Sequence, residues 1–462
     1  MATKETSYLP FGTAQTKPAT TPKKSWLLRG TVIATLAYLS WKTFVQQEQS
    51  PPLGIPDSSQ RAWGQYAPYF QAAEYSLPPS GCAITQVNIL HRHGARYPNE
   101  GDGYDDSVDR LIGAKKFKDN RLEFLKSYSY DLGKEDLTPF GATQSFESGV
   151  EAYQQYFYLF DSNNIPFIRA SGIGRVVDSA RNWSIGFTTA SSQQYHPEIN
   201  VVIPEDQNNT LKEDCPRAGD GKEQKDEWLN VFAPPIADRL NKAAPGAGIT
   251  NSDVFHLMAM CPFETIAKQR PSEFCRLFTD EEFLEFEYHG DVEKYYKTGY
   301  GEALGPIQGV GYLNELLARL TNRPVSDHTK HNSTYPFPLS RPFYIDFTHE
   351  NLMVAVYSAM GLFNITRHPL DPKKMHKDRT WVASKMVPFS SRMVVEKMSC
   401  MRGKMSKEMG EEYVRVFVNN ALQPLEFCGA KKGGDGLCTL EAFVESQGYA
   451  RRSGDGDFEK CY

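Results

Sequence analysis

Apolar positions along the chain follow two periods, and the places where one gives way to the other are informative. Between Thr85 and Leu90, Val87 and Ile89 alternate with polar neighbours as in a buried strand, and the chain then turns at Gly94 and stops at Pro98. The arrangement of apolar strand, charged tip and helix recurs twice. Phe167-Ile168-Arg169-Ala170-Ser171-Gly172 leads into a helical pattern with Val176, Ala180, Trp183 and Phe187, and Tyr344-Ile345-Asp346-Phe347-Thr348-His349-Glu350-Asn351 leads into one ending near Gly361. Apolar residues at helical spacing also mark Glu223 to Phe232, Ile249 to Ala267 and Asp280 to Tyr296, and Leu111, Phe117, Leu122, Phe124 and Leu125 are expected to be buried. Further strands are expected around Phe343 to Phe347, Arg392 to Lys397 and Tyr413 to Asn419. Open sheets bind ligands at the carboxyl ends of their strands, so three charged tips predict one shared site.

The first sixty residues depart from this pattern. Trp26 to Val45 is mostly apolar but interrupted by Arg29 and Lys42, which fits a signal-peptide core or an uncleaved signal anchor. Lys17, Lys23, Lys24 and Arg29 precede the apolar core, favouring a cytosolic N-terminus with the remainder translocated. A Pro-rich linker at Pro51, Pro52 and Pro56 is expected to separate this leader, residues 1–60, from a domain over 61–462. Membrane anchoring through residues 26–45 is one outcome of this reading.

Composition adds little to the pattern, with 40% hydrophobic and 23% charged residues. The net charge of −5 and the lack of a long basic block argue against a nucleic-acid binder, so any affinity for phosphate is expected to be local. Eight cysteines form an even set without Cys-x-x-C spacing, which argues for disulfides over a zinc or redox site. Sequons at Asn182, Asn208, Asn332 and Asn364 agree with an oxidising, glycosylating compartment. Gly429 to Leu437 reads as a stapled hairpin between Cys428 and Cys438, since no helix follows it in phosphate-loop register.

The candidate chemistry sits on the tips. Arg92 and Arg96 can fork around phosphate oxygens, Gly94 allows close backbone approach, and neutral His93 has a lone pair to offer phosphorus. His91 and His93 lean to one side of the strand end, but without a carboxylate or cysteine at ligand spacing they do not predict a metal. His349-Glu350 stands at a strand-to-helix junction with Thr348 as its expected N-cap. The basic cluster Lys115, Lys116, Lys118, Arg121 and Lys126 is either a solvated helix face or the rim of a pocket for a polyphosphorylated substrate.

These residues resemble the histidine acid phosphatases, and within them the fungal phytases. The signature Arg-His-Gly-x-Arg-x-Pro is met by Arg92, His93, Gly94, Arg96 and Pro98, and a Phe-Ile-Arg-x-Ser-Gly setting by Arg169. The second signature, usually His-Asp, appears as His349-Glu350. Further similarity runs through Trp63-Gly64-Gln65-Tyr66, Leu137 to Gly141, Leu304 to Tyr312 and Val387 to Arg392. The resemblance implies an α/β fold with a central mixed sheet flanked by helices, and a smaller helical domain inserted at about 99–158 and 205–300. The active site is expected in the cleft between them. It implies disulfides Cys82–Cys400, Cys215–Cys461, Cys261–Cys275 and Cys428–Cys438.

As to function, the resemblance implies a metal-independent, cofactor-free acid phosphomonoesterase acting on phytate (myo-inositol hexakisphosphate) or related esters. His93 is the nucleophile, Glu350 the proton donor, and Arg92, Arg96, Arg169 and His349 the phosphate clamp, with Lys126, Lys294 and Arg121 as substrate-binding rim. Fungal phytases often carry two adjacent lysines where Glu293 and Lys294 stand, which predicts a weaker preference for phytate here. A broad-specificity acid phosphatase, a phosphate-binding secreted glycoprotein without turnover and a phosphoglycerate mutase type of transferase are the competing classes. The pattern is silent on oligomeric state.

Overall fold

The computed structural model describes residues 52–366, 368–401, 409–431 and 433–462. The apolar segment 26–45 lies outside the described residues, and among those described no helix is long and apolar enough to cross a membrane.

The alternating stretch around Val87 is the centre of the sheet. Its strands are β1 (Cys82–Arg92), β2 (Phe167–Ser171), β3 (Ile199–Ile203), β4 (Phe343–Thr348), β5 (Arg392–Met401), β6 (Met409–Val418), β7 (Ala421–Leu422) and β8 (Cys438–Thr439). Their order is β3-β2-β4-β1-β5-β6-β7, with β8 also pairing on β6. Pairing is parallel from β3 through β2 and β4 to β1, and antiparallel from β1 through β5 to β6, so the sheet is mixed as expected. The main helices are α1 (Tyr104–Ile112), α2 (Pro139–Tyr156), α3 (Gly174–Ala190), α4 (Lys222–Ala243), α5 (Asn251–Lys268), α6 (Asp280–Lys297), α7 (Val310–Thr321) and α8 (Glu350–Met360).

Period two sorts the side chains onto the two faces of the sheet. Val87 and Ile89 of β1, Ile168 and Ala170 of β2, and Phe343, Ile345 and Phe347 of β4 pack with Ala152 and Tyr156 of α2 and with Trp183 and Phe187 of α3. Leu90, Tyr344, Met393 and Val395 face the other way, into a core with Leu313 and Leu316 of α7 and Leu352, Met353 and Val356 of α8. Each such large apolar side chain contributes about 1.5–3 kcal/mol on burial.

Helices α4, α5 and α6 pack on one another, and α1 packs on α5. Capping boxes start α5 (Thr250 with Asp253) and α6 (Thr279 with Glu282), each satisfying two otherwise orphaned backbone donors. Within the expected insertion over 99–158, α2 lies against α3 on the sheet and belongs to the α/β layers; Gly149 of α2 meets the Trp183 carbonyl of α3, and Gly186 of α3 the Phe146 carbonyl of α2, where a Cβ would stand 2.0 Å from each oxygen. The expected linker also ends sooner: Leu53 is buried in the core, and Gln60 donates to the Ile55 carbonyl at 2.7 Å.

All four expected disulfides are present. Cys82 and Cys400 stand directly opposite in the antiparallel β1–β5 register. The Cys428–Cys438 loop is stapled, but Cys438 and Thr439 pair with β6 and not with the segment leading into the loop, so no simple hairpin forms.

Candidate active site

The parallel register of β1 and β4 assembles the site. His91 lies opposite Phe347 and Arg92 opposite Thr348, and one residue further the His93 amide donates to the Thr348 carbonyl at 3.0 Å. The rings of His93 and His349 are thereby brought to 5.6 Å between centroids. Gly94 is required by this packing: a Cβ there would stand 2.2 Å from the Gly141 carbonyl oxygen, and a Cβ on Gly141 2.1 Å from that of Ala95. Room for a ligand, the expected reason for the glycine, is secondary to backbone meeting backbone at the start of α2.

His93 is buried, with Nδ1 2.8 Å from its neighbour's carbonyl oxygen, Gly94 O. A carbonyl only accepts, so Nδ1 donates and Nε2 keeps its lone pair, 3.9 Å from Glu350 Oε2. Burial, then the positive fields of Arg92, Arg175 and His349, hold the imidazole pKa well below its ordinary value. These surroundings favour the neutral imidazole, with the Nε2 lone pair free. His91 faces away, to the Arg92 carbonyl at 2.5 Å and Ser148 Oγ at 2.8 Å, and does not share a site with His93.

Arg92 is fixed from several sides. It donates to the carbonyls of Gln65 (2.5 Å) and Val387 (2.7 Å), covers the Phe389 ring at 4.5 Å and reaches Glu350 at 3.1 Å. Its pKa is pushed down to about 10, first by burial and, among its neighbours, by Arg96 and Arg175 against the pull of Glu350. A cavity of about 400 Å³ opens above these groups, lined among others by His93, Arg96, Arg175, Lys294, His349 and Glu350.

Glu350 is the first residue of α8, with His349 and not Thr348 at the N-cap; Thr348 Oγ1 is committed to the Leu211 carbonyl at 2.6 Å. Burial alone would raise the Glu350 pKa, but Arg92, Lys294, His93 and Arg96 outweigh it and hold the carboxyl well below its ordinary value. Lys294, only 2% exposed, reaches Asn351 Oδ1 at 2.8 Å and both Glu350 and Glu293 at 3.5 Å. His349 Nε2 meets Glu205 Oε1 at 2.7 Å, and Ser171 Oγ donates to the same oxygen at 2.8 Å. The Glu205 carboxylate, which burial alone would raise, is brought down to about 2 chiefly by His349.

Arg169 is not at the cavity. It lies opposite Asp346 in the β2–β4 register, two residues before the end of β2, and is clamped at 2.6 Å by both Asp346 and Glu315. The arginine that reaches the cavity is Arg175, in the first turn of α3, beyond the strand's end. Arg121 and Lys126 also stand away from it. Arg121 is held by Asp119 at 2.7 Å and Lys126 by Glu123, on the 3-10 turn Asn120–Ser127. Their positive charge is answered locally, as on a solvated surface. Sequence reasoning missed Arg175, Glu205 and Glu213. The signal for Arg175 was available, a cation at the start of the helix that follows a charged tip, the same placement as Glu350.

Comparison with known proteins agrees with this geometry. Residues 83–419 match the model of the histidine phosphatase superfamily (branch 2). Phytase A of Emericella nidulans is 40% identical over 429 residues, 87% of this chain and 90% of that protein. Phytase A of Aspergillus fumigatus is 39% identical over 431 residues, again 87% and 90%. Among solved structures, the phytase from D. castellii superposes with a TM-score of 0.71 at 24% identity, covering 86% of each chain. A Bifidobacterium longum multiple inositol polyphosphate phosphatase in complex with inositol hexasulfate gives 0.63 at 15%, covering 85% of this chain and 98% of that one. The family match over residues 83–419, together with about 40% identity to fungal phytases over most of both chains, shows that the chain belongs to branch 2 of the histidine phosphatase superfamily.

Proposed function

We propose that this chain is an acid phosphomonoesterase that hydrolyses phytate and related phosphate monoesters through a phosphohistidine. The observation that carries the reading is a buried His93 whose Nε2 is set 3.9 Å from the Glu350 carboxylate, with guanidinium groups around it. Arg92, Arg96 and Arg175 neutralise the phosphoryl oxygens, the charge task that a metal performs elsewhere. Nε2 attacks phosphorus as the ester P–O bond breaks, and the departing alcohol oxygen takes a proton from Glu350. Water then attacks phosphorus, its proton returns to Glu350, and the P–N bond breaks to free phosphate and His93.

Because its cationic neighbours hold the Glu350 carboxyl well below its ordinary pKa, the proton is expected to arrive with the substrate. A phosphate monoester has its second pKa near 6, at roughly pH 5 it enters mostly as the monoanion, and the dianion left in the site raises the carboxyl above its resting value. Activity is accordingly expected in acid and to fall as the ester loses its second proton. Glu205 is a positioning residue, orienting His349 toward the phosphoryl group.

Disulfides and exposed sequon residues Asn208 and Asn364 support a secreted protein. Asn182 fits glycosylation less well, being inside α3 with Nδ2 donating to the Asp178 carbonyl at 2.8 Å. The test is phosphate release from phytate and p-nitrophenyl phosphate by the wild type beside His93→Ala across acid pH. Turnover in the wild type and none in the folded variant supports the reading; equal activity overturns it.

A further inference from the structure

The cavity is not the uniformly cationic basin that a fully phosphorylated ring demands: five lysine and arginine side chains on its wall face four carboxylates. One cation, Lys294, is already engaged with Asn351, Glu293 and Glu350. Among the carboxylates, Glu350 has its catalytic place and Glu293 accepts from Gln65 Nε2 at 3.1 Å. Glu213 is different. It comes from the loop between β3 and α4, Asn351 Nδ2 donates to its Oε1 at 3.1 Å, and its Oε2 is shielded from solvent with no donor among the described residues. Asn351 is itself held by Lys294, so the Glu213 carboxylate is braced from behind and not free to swing into water.

A carboxylate in this position repels a phosphate group and attracts a hydrogen-bond donor. Leaving a buried acceptor without a partner costs about 1–3 kcal/mol, and a site built to bond a substrate hydroxyl discriminates strongly against an analogue lacking it. We propose that Glu213 forms an acceptor subsite for a free hydroxyl of the substrate, making partly dephosphorylated polyol phosphates preferred over the fully phosphorylated ring. This rests on the phosphomonoesterase reading and narrows its substrate class. His93 would then act on one phosphate while a neighbouring ring position, bearing OH in place of phosphate, donates to Glu213.

The readout is the ratio of kcat/KM for an inositol monophosphate to that for inositol hexakisphosphate, in the full chain and in Glu213→Gln, with Glu213→Ala as the second variant. Thermal unfolding identifies the folded variants. Removing the charge is expected to shift the ratio toward hexakisphosphate by roughly tenfold, largely through KM, since a lost hydrogen bond and a lost repulsion act in the same direction. Retained turnover with the ratio unchanged in a folded variant overturns the subsite alone. A wild type that releases phosphate from neither ester overturns the phosphomonoesterase reading and the subsite with it.

Discussion

Two arginine clusters lie close together on this fold and have opposite electrostatic character. In the sheet, Arg169 and Arg319 face Asp346 and Glu315, with contacts of 2.5–2.6 Å and all four side chains buried. Burial would lower the Arg169 pKa, but the two carboxylates outweigh it and raise it. At the strand tips, Arg92, Arg96 and Arg175 share Glu350, and the pKa values of Arg92 and Arg175 are lowered, first by burial and then by their like-charged neighbours. The first cluster is charge-balanced and complete. The second sets three guanidinium groups against Glu350 and, 3.8 Å from Arg175, Glu135, an excess of positive charge that an incoming phosphate relieves. Buried arginine alone therefore says little about catalysis; guanidinium groups that outnumber their carboxylates at a cavity say much.

The largest effect is expected at the nucleophile. His93→Ala should lose turnover by on the order of 10⁴-fold or more, measured with p-nitrophenyl phosphate, with the unfolding temperature nearly unchanged. The arginines should then separate by assay. Arg175→Ala is expected to cost roughly 10²–10³-fold in kcat/KM with little loss of stability, as for other groups that stabilise transition-state charge. Arg169→Ala should instead destabilise by about 3–5 kcal/mol in denaturant unfolding, because two buried carboxylates lose a partner. If Arg169→Ala spared stability and abolished turnover, the contrast between the clusters would be wrong.

The clusters also differ in how legible they were. The strand tips could be read from sequence because alternation, turn residues and the Arg-His-Gly motif are local. Which arginine after Phe167 reaches the site was legible only in part: Arg175 stands at a helix start after a charged tip, but ruling out Arg169 depends on β2 ending at Ser171, two residues past it, and on a register that sets Arg169 against Asp346. Glu213 was invisible for a similar reason, being brought to the site by the loop that precedes α4. The basic stretch around Arg121 and Lys126 had the composition of a phosphate rim but finds its acids three or fewer residues away. Glu293 and Lys294 line the cavity, and Lys294 is bonded inward to Asn351 and Glu350, in the position of a brace.

Smaller effects sharpen the comparison further. In kcat/KM, which reports the phosphorylation step, Glu350→Gln should slow inositol phosphates by on the order of 100-fold and p-nitrophenyl phosphate much less, since nitrophenolate leaves without a proton. Glu350→Asp, which draws the proton back by about one bond length, is expected to be slower than wild type on inositol phosphates. In the balanced cluster, burial alone would raise Glu315, but Arg169 and His331 bring its pKa down to about 2. A depressed carboxyl stabilises the fold above its unfolded pKa, near 4.3, and that contribution fades as pH falls toward 2. Melting temperatures should accordingly decline between those values, and Arg169→Ala should move the decline to higher pH. Glu293→Lys, the mildest change, should raise phytate turnover relative to p-nitrophenyl phosphate by a few-fold; an unchanged ratio would count against the charge argument.

The covalent intermediate remains the most direct test of the whole account. Glu350→Gln slows the water step as well as leaving-group departure, so on p-nitrophenyl phosphate, which leaves unaided, a phosphoenzyme should accumulate. Phosphate-labelled substrate, base-stable work-up and peptide mapping are expected to place one acid-labile label on the peptide containing His93, absent from a His93→Ala, Glu350→Gln double variant. Continued turnover without a base-stable label, or a label on another peptide, would contradict the mechanism.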